Sequence, residues 1–357
     1  MFGRVAAFEF RQAVRSPLFW AVAGIFFLMT FGYMASEHIS IGDTANVHKN
    51  SPYAILQVDL IMGVFFMFAS TAFVASSVIR DDETGFGPIL HAAPLSKFDY
   101  LYGRFTGSFA AASLAYAFVT AGLIVGSMLP GLDPERLGPF RPDAYAYGYL
   151  LMAGPTMFLA SGLFFTLAAA TRSMAWVFVA VIVFIVIYVI ASIALDKPEL
   201  YNLVGHWDPL GLFSFDTATR YWTANDRNAL LPPFSGTLLF DRLFAVLVGF
   251  GALALAYPLY RLSAPPGKTA KRVADVEAPV SEAPATTIYA EPIFDRAGLL
   301  AQLAERTRFD LRLVFRSPVL WIVLGLGLAN AIGDLWTTTS DGRYGAATWP
   351  EIGRAHV

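Results

Sequence analysis

Few side chains in this sequence stand at spacings that perform covalent chemistry. PPGKT at Pro265 to Thr269 imitates the end of a phosphate-binding loop, but that motif needs glycine five residues before its second glycine, and Leu262 stands there. Gly249, Gly251 and Ala254 match a dinucleotide fingerprint, yet they lie in an apolar run, where close helix packing explains them better. His38, His48, His91, His206 and His356 never fall at metal-ligand spacing. With no cysteine there is no disulfide, thiolate site or sulfur nucleophile. No Ser, His and Asp come together at one depth, and Asp59, Asn330 and Asp334 are too scattered for an intramembrane enzyme. The chain is therefore expected not to be an enzyme, and to hold no cofactor and no metal of its own.

The densest charge is a run of another kind. Residues 80–104 read RDDETGFGPILHAAPLSKFDYLYGR, charged at both ends, apolar at Ile89 and Leu90, and punctuated by Gly85, Gly87, Pro88 and Pro94. Short helical pieces at a membrane surface fit that pattern. The acids read either as a solvated cap on a span or as a contact for another protein.

The elements that position this run are organised by a repeat. Phe8 to Trp20 reads FEFRQAVRSPLFW and Phe309 to Trp321 reads FDLRLVFRSPVLW. Phe, two Arg, Ser, Pro and Trp recur in register, where unrelated sequences would share about one position, so two copies of one unit are expected. At about 100° per residue, Arg4, Arg11 and Arg15 fall on one face, and Val5, Phe8, Ala13 and Val14 are placed away from it. Such a helix suits a membrane surface. Ser16 and Pro17, like Ser317 and Pro318, suit the N-cap and first turn of a new helix.

The 357 residues are 56% hydrophobic and 15% charged, with a mean hydropathy of +0.54, which predicts an all-α integral membrane protein. A formal charge of -2 argues against nucleic acid. Apolar runs of spanning length are read at 18–34, 55–79, 105–129, 145–170, 175–195 and 243–260, with a seventh at 319–336. Pro155 predicts a kink in the fourth, and Arg172 the tip of a tight hairpin between the fourth and fifth. Hydroxyls at Ser70, Thr71, Ser76 and Ser77 are expected to serve packing.

The predicted organisation is an amphipathic lead helix (1–17), a six-helix transmembrane module (18–260) with a loop at 80–104 and an outer segment at 196–240, and a disordered linker (261–300) rich in Pro, Ala, Lys and Glu. The start of a second copy follows (301–351). Residues 352–357 read as translated sequencing adapter, and the chain is expected to be a gene fragment. Of 25 Lys and Arg, sixteen fall on segments sharing the N-terminus's side, eight on the other side, and Arg354 in the tail, so the N-terminus and the 80–104 loop are expected inside the cytoplasm.

Six spans, the lead helix, and a first loop with Glu83 and Gly85, then Pro94, Ser96 and a basic residue after Gly103 resemble permeases of the ABC-2 class of ABC transporters. Those proteins commonly carry Lys where Arg104 stands here. The tract HWDPLGLFSFDTATRYWTANDRN resembles, more narrowly, large bacterial permeases that end in an aminopeptidase N-like zinc domain. The resemblance implies export driven by ATP on separate cytoplasmic ATPase subunits, two of them, in a bacterial inner membrane, with membrane lipid as the other partner. It implies ATPase coupling at Asp81, Asp82, Glu83 and Gly85, with Arg11, Arg15, Pro94, Lys97 and Arg104 beside them. The alternative it leaves is the membrane anchor of a zinc aminopeptidase whose catalytic domain lies elsewhere.

Overall fold

The computed structural model describes residues 1–36, 38–42, 46–83, 95–130, 132, 134–194, 207–260 and 296–316, with a few positions between 320 and 328. Gly85, Pro94, nearly all of the linker, most of the seventh apolar run and the 352–357 tail lie outside the described residues. The chain divides into a unit of residues Met1–Leu262 and a unit of residues Ser263–Val357.

In the first unit the Ser-Pro junction behaves as its residue types require. The lead helix α1 (Phe2–Arg15) ends where Ser16 donates its hydroxyl to the Ala13 carbonyl at 2.7 Å and accepts the Phe19 N–H at 3.2 Å. Pro17 then opens α2 (Pro17–Ala35), having no N–H to lose. Ser51 and Pro52 repeat the device for α3 (Pro52–Ser70), which runs through a π-helical segment (Thr71–Ala75) into α4 (Ser76–Glu83). Ser96 caps α5 (Lys97–Ser127) through the Asp99 N–H at 3.0 Å. Next come α6 (Pro142–Tyr147), a second π segment (Gly148–Ala153) and α7 (Gly154–Thr171), then α8 (Met174–Ala194). Short helices α9 (Leu212–Thr219) and α10 (Ala224–Ala229) precede α11 (Gly236–Leu259). No strand occurs among the described residues.

Among the described residues, five helical stretches are long and apolar enough to cross a membrane: Pro17–Ala35, Pro52–Asp81, Lys97–Ser127, Pro142–Thr171 and Gly236–Leu259. The apolar stretch Met174–Ile190 of α8 is shorter. Several helices extend past the apolar runs read from sequence, because Ser caps and N-terminal prolines let polar first turns join them: α5 begins at Lys97 rather than Phe105. Residues 97–104 are thus helix, not loop. The α7–α8 hairpin turns at Arg172, in the left-handed region at φ 50°, with its N–H on the Ala168 carbonyl at 2.8 Å.

Pro155 sits in the first turn of α7, directly after the wide π turns. A proline inside a helix cannot donate to the carbonyl four residues back, and the π segment absorbs that misfit. In the other π segment hydroxyls occupy loosened carbonyls: Thr71 donates to Phe68 at 2.7 Å, Ser76 to Ala72 at 2.5 Å and Ser77 to Val74 at 2.7 Å. Ser70 reaches across helices to Ser161 at 3.3 Å, and Ser77 accepts the Ser108 hydroxyl of α5 at 3.5 Å.

Small residues set the closest approaches. A Cβ on Gly122 would strike Thr30 of α2, and one on Gly162 would meet the Gly249 carbonyl oxygen at 2.8 Å. Gly249 therefore packs as its spacing suggests, whereas Gly251 faces open space. Tyr116 is fully buried between Phe26 and Phe66, with ring centroids at 5.5 and 5.7 Å. Apolar side chains also line the exterior: Leu28, Leu247 and Phe250 are exposed, as helices facing lipid require. In the second unit α12 (Arg296–Arg316) carries the repeated Phe309 and Arg312.

Candidate functional site

One end of the first unit gathers α1, the close of α4, the start of α5, the α7–α8 turn and the close of α11. There α1 lies against α5, because Gly103 and Gly107 remove the side chains that would hold it off. A Cβ on Gly107 would strike the Ala6 carbonyl, and one on Gly103 would come within 2.8 Å of Val5. The contact buries Glu9, the one acid of an otherwise basic helix, at 2% exposure.

Glu9 is met by two guanidiniums. Arg80 donates to both carboxylate oxygens at 2.7 and 2.9 Å, and Arg104 Nη1 stands 2.6 Å from Oε1. The other arm of Arg104 pairs with Asp81, and its Nη1 also donates to the Ser77 carbonyl at 3.1 Å. Asp81 accepts the Tyr100 hydroxyl at 2.8 Å. Two acids and two arginines from α1, α4 and α5 balance within one cluster, with Glu9, Asp81 and Arg104 buried and Arg80 partly exposed at its edge, the arrangement that makes such charges tolerable away from water.

Aromatic rings carry the cluster sideways. Arg104 lies 5.1 Å from the Tyr100 ring, Tyr100 stacks on Tyr260 at 5.8 Å, and Arg172 lies 5.2 Å from Tyr260. Lys97 stands 4.5 Å above Tyr257. The tip of the α7–α8 hairpin is thereby tied to α11, α5 and α1. At the N-terminus the Phe2 N–H donates to Asp99 at 2.9 Å. A cleft of about 550 Å³ opens beside the cluster, lined by Arg4, Val5, Phe8, Arg80, Tyr100 and Arg104 among others.

The residues singled out by sequence separate into classes. Asp81 and Arg104 are interior and paired with each other. Arg11 and Arg15 are exposed on the far face of α1. Lys97 is half-buried over its tyrosine. Asp82 and Glu83 close α4, while Gly85 and Pro94 lie outside the described residues. Phe8 requires a correction: it is 60% exposed and belongs to the arginine face. Successive steps of four, three and four residues place Arg4, Phe8, Arg11 and Arg15 in one stripe, so periodicity correctly applied puts it there.

Sequence reading passed over Glu9, Arg80 and Tyr100. A signal for Glu9 was present: Asp310 holds the same place in the second copy, an acid retained amid basic residues.

The opposite end is closed by a second buried cluster. Arg242, 1% exposed, pairs with Asp241 at 2.5 Å and donates to Thr156 at 3.0 Å and to the carbonyls of Met152 and Asp208, each at 3.1 Å. Asp208 accepts the N–H groups of Leu210 at 3.1 Å and Phe213 at 2.6 Å. Gly211, at φ 86°, leaves room for the guanidinium, which any Cβ there would strike. Lys49 caps the end of α2, donating to the Tyr33 carbonyl at 2.8 Å and the Ile39 carbonyl at 3.0 Å.

Among the described residues no group of His, Cys, Asp and Glu could hold a metal ion. The first end offers an exposed basic stripe beside a paired set of acids and arginines. A comparison with curated proteins found no match. A family model described as ABC-2 family transporter protein matches residues 4–262, most of the chain.

Proposed function

This chain belongs to the ABC-2 family of transporter proteins, and on that premise we propose that it is the permease of an exporter driven by ATP on a separate cytoplasmic ATPase. The family makes it a multi-pass membrane component of an ABC transporter. The finer reading places the α1 end in the cytoplasm of a bacterial inner-membrane protein, facing two ATPase subunits.

The observation that carries this reading is the cluster joining Glu9, Arg80, Arg104 and Asp81. Within it Asp81 and Arg104 act as a brace rather than as contact groups, since neither is free to meet a partner. The contact falls to the exposed stripe of Arg11 and Arg15. A push delivered there reaches α1, α4 and α5 together, because breaking a buried charge pair costs about 3–5 kcal/mol. The rings of Tyr100 and Tyr260 pass it on to the α7–α8 turn. For that motion to move a load, the load must bind one arrangement of the spans better than the other.

The test is recovery of the companion ATPase with the tagged permease. Arg11→Glu with Arg15→Glu should reduce recovery by about tenfold, as reversal of rim charges does, without lowering the melting temperature. Unchanged recovery would remove the docking surface from α1.

A further inference from the structure

Asp59 lies in α3 about 10 Å along the helix from Pro52, inside the second span. Its side chain is fully buried, and neither carboxyl oxygen has a hydrogen-bond partner or exposed surface. This sets it apart from the other buried acids of the unit: Glu9, Asp81 and Asp241 face arginines, and Asp208 faces backbone N–H groups. Among the described residues, the titratable groups around it are the tyrosines Tyr116 of α5, Tyr145 of α6 and Tyr149 of the π segment, with no cation among them. Tyr116 gives its hydroxyl to the Asp59 backbone carbonyl at 2.6 Å, and Tyr149 gives its own to the Ser113 carbonyl at 2.8 Å. Neither serves the carboxyl. Gly148, the first residue of the π segment in the fourth span, lies directly against Oδ2, where a Cβ would collide.

An ionised carboxylate without donor or cation is not sustained in such surroundings, and an acidic group inside a span marks a functional site by default. Among the described residues no group that could hold a metal ion includes Asp59, and Gly148 packs directly against Oδ2. We propose that Asp59 is a proton-binding site within the spans. It holds its proton while the second and fourth spans stay packed, and gives it to water when they part along the π turns. On release the carboxyl O–H breaks, leaving a carboxylate on Asp59 and a hydronium ion in the entering water. Wide π turns are where a helix yields most readily, and here one of them forms the wall of the site. The proposal does not depend on which partner drives the permease.

Infrared difference spectroscopy of the full chain in lipid nanodiscs tests it, using wild type minus Asp59→Asn at neutral pH. The expected difference is the carbonyl stretch of a protonated carboxylic acid, which shifts in D2O more slowly than exposed carboxyls exchange. A difference made only of carboxylate bands would overturn the site, and an immediate shift in D2O would overturn release upon opening. Should the variant not assemble, wild type labelled with carbon-13 at the aspartate carboxyl asks the same question. A protonated-aspartate band at neutral pH supports the proposal, and its absence refutes it.

Discussion

Arg104 gains its place from geometry that no local pattern contains. Its fork meets Glu9 from α1 and Asp81 from α4, partners 95 and 23 residues away in the chain. Truncating one partner strands the rest, so Glu9→Ala should lower stability by about 3–5 kcal/mol, read as a fall in the detergent melting temperature. A loss below about 1 kcal/mol would mean that the cluster is solvated. Arg242→Lys should likewise destabilise, by roughly 2–4 kcal/mol, since a point ammonium cannot bridge Asp241, Thr156 and two carbonyls at once. Asp81 and Arg104 were singled out in the sequence, but their pairing with each other and with Glu9 was not, because pairing across the chain follows from the fold. Asp241 and Arg242 stand adjacent before the sixth apolar run, where sequence reading counts Arg242 as a charge outside the spans, whereas the structure buries it against Asp241.

Helices here are bounded by short polar signals, and those were the most legible part of the sequence. Ser16-Pro17 ends one helix and opens the next, and Arg172 turns the hairpin as its neighbours' composition implied. The π segments were not legible: Pro155 announced a distortion but not its form, and Thr71 to Ala75 carries no proline at all. Close packing of α1 was hidden because Gly103 and Gly107 lie in what read as loop and span. Gly107→Leu should therefore lift α1 from α5, seen as faster amide hydrogen exchange across residues 2–15 while α7 and α11 keep their protection. At the opposite end, α10 is held by a capping box in which the Thr223 hydroxyl and N–H keep the Asp226 carboxyl below the usual carboxylate range. A carboxylate held low stabilises the fold above its unfolded value and loses that contribution as pH falls. Protection of residues 224–229 relative to intrinsic amide exchange should then fall as pH drops through about 4, and Asp226→Asn should flatten that dependence.

At the scale of the molecule, the first unit is a helical membrane module with two differently built ends. One is cross-linked by charges and stacked tyrosines and bears an exposed arginine stripe; the other is sealed by Arg242 and the polar cover of residues 207–236. Among the described residues five of the expected apolar runs form helices of spanning length, the run at 175–195 holds a shorter apolar stretch, and the family match over residues 4–262 agrees with the resemblance carried by the first loop. The central claim is that the braced end faces the compartment of an ATPase and receives its push. The absence of native cysteine makes the decisive measurement direct. Arg15→Cys and Tyr221→Cys, both at exposed positions on opposite ends, are treated with a membrane-impermeant maleimide in intact cells and in inverted vesicles. The account predicts that position 15 reacts only in inverted vesicles and position 221 only in intact cells; the reverse pattern would contradict it.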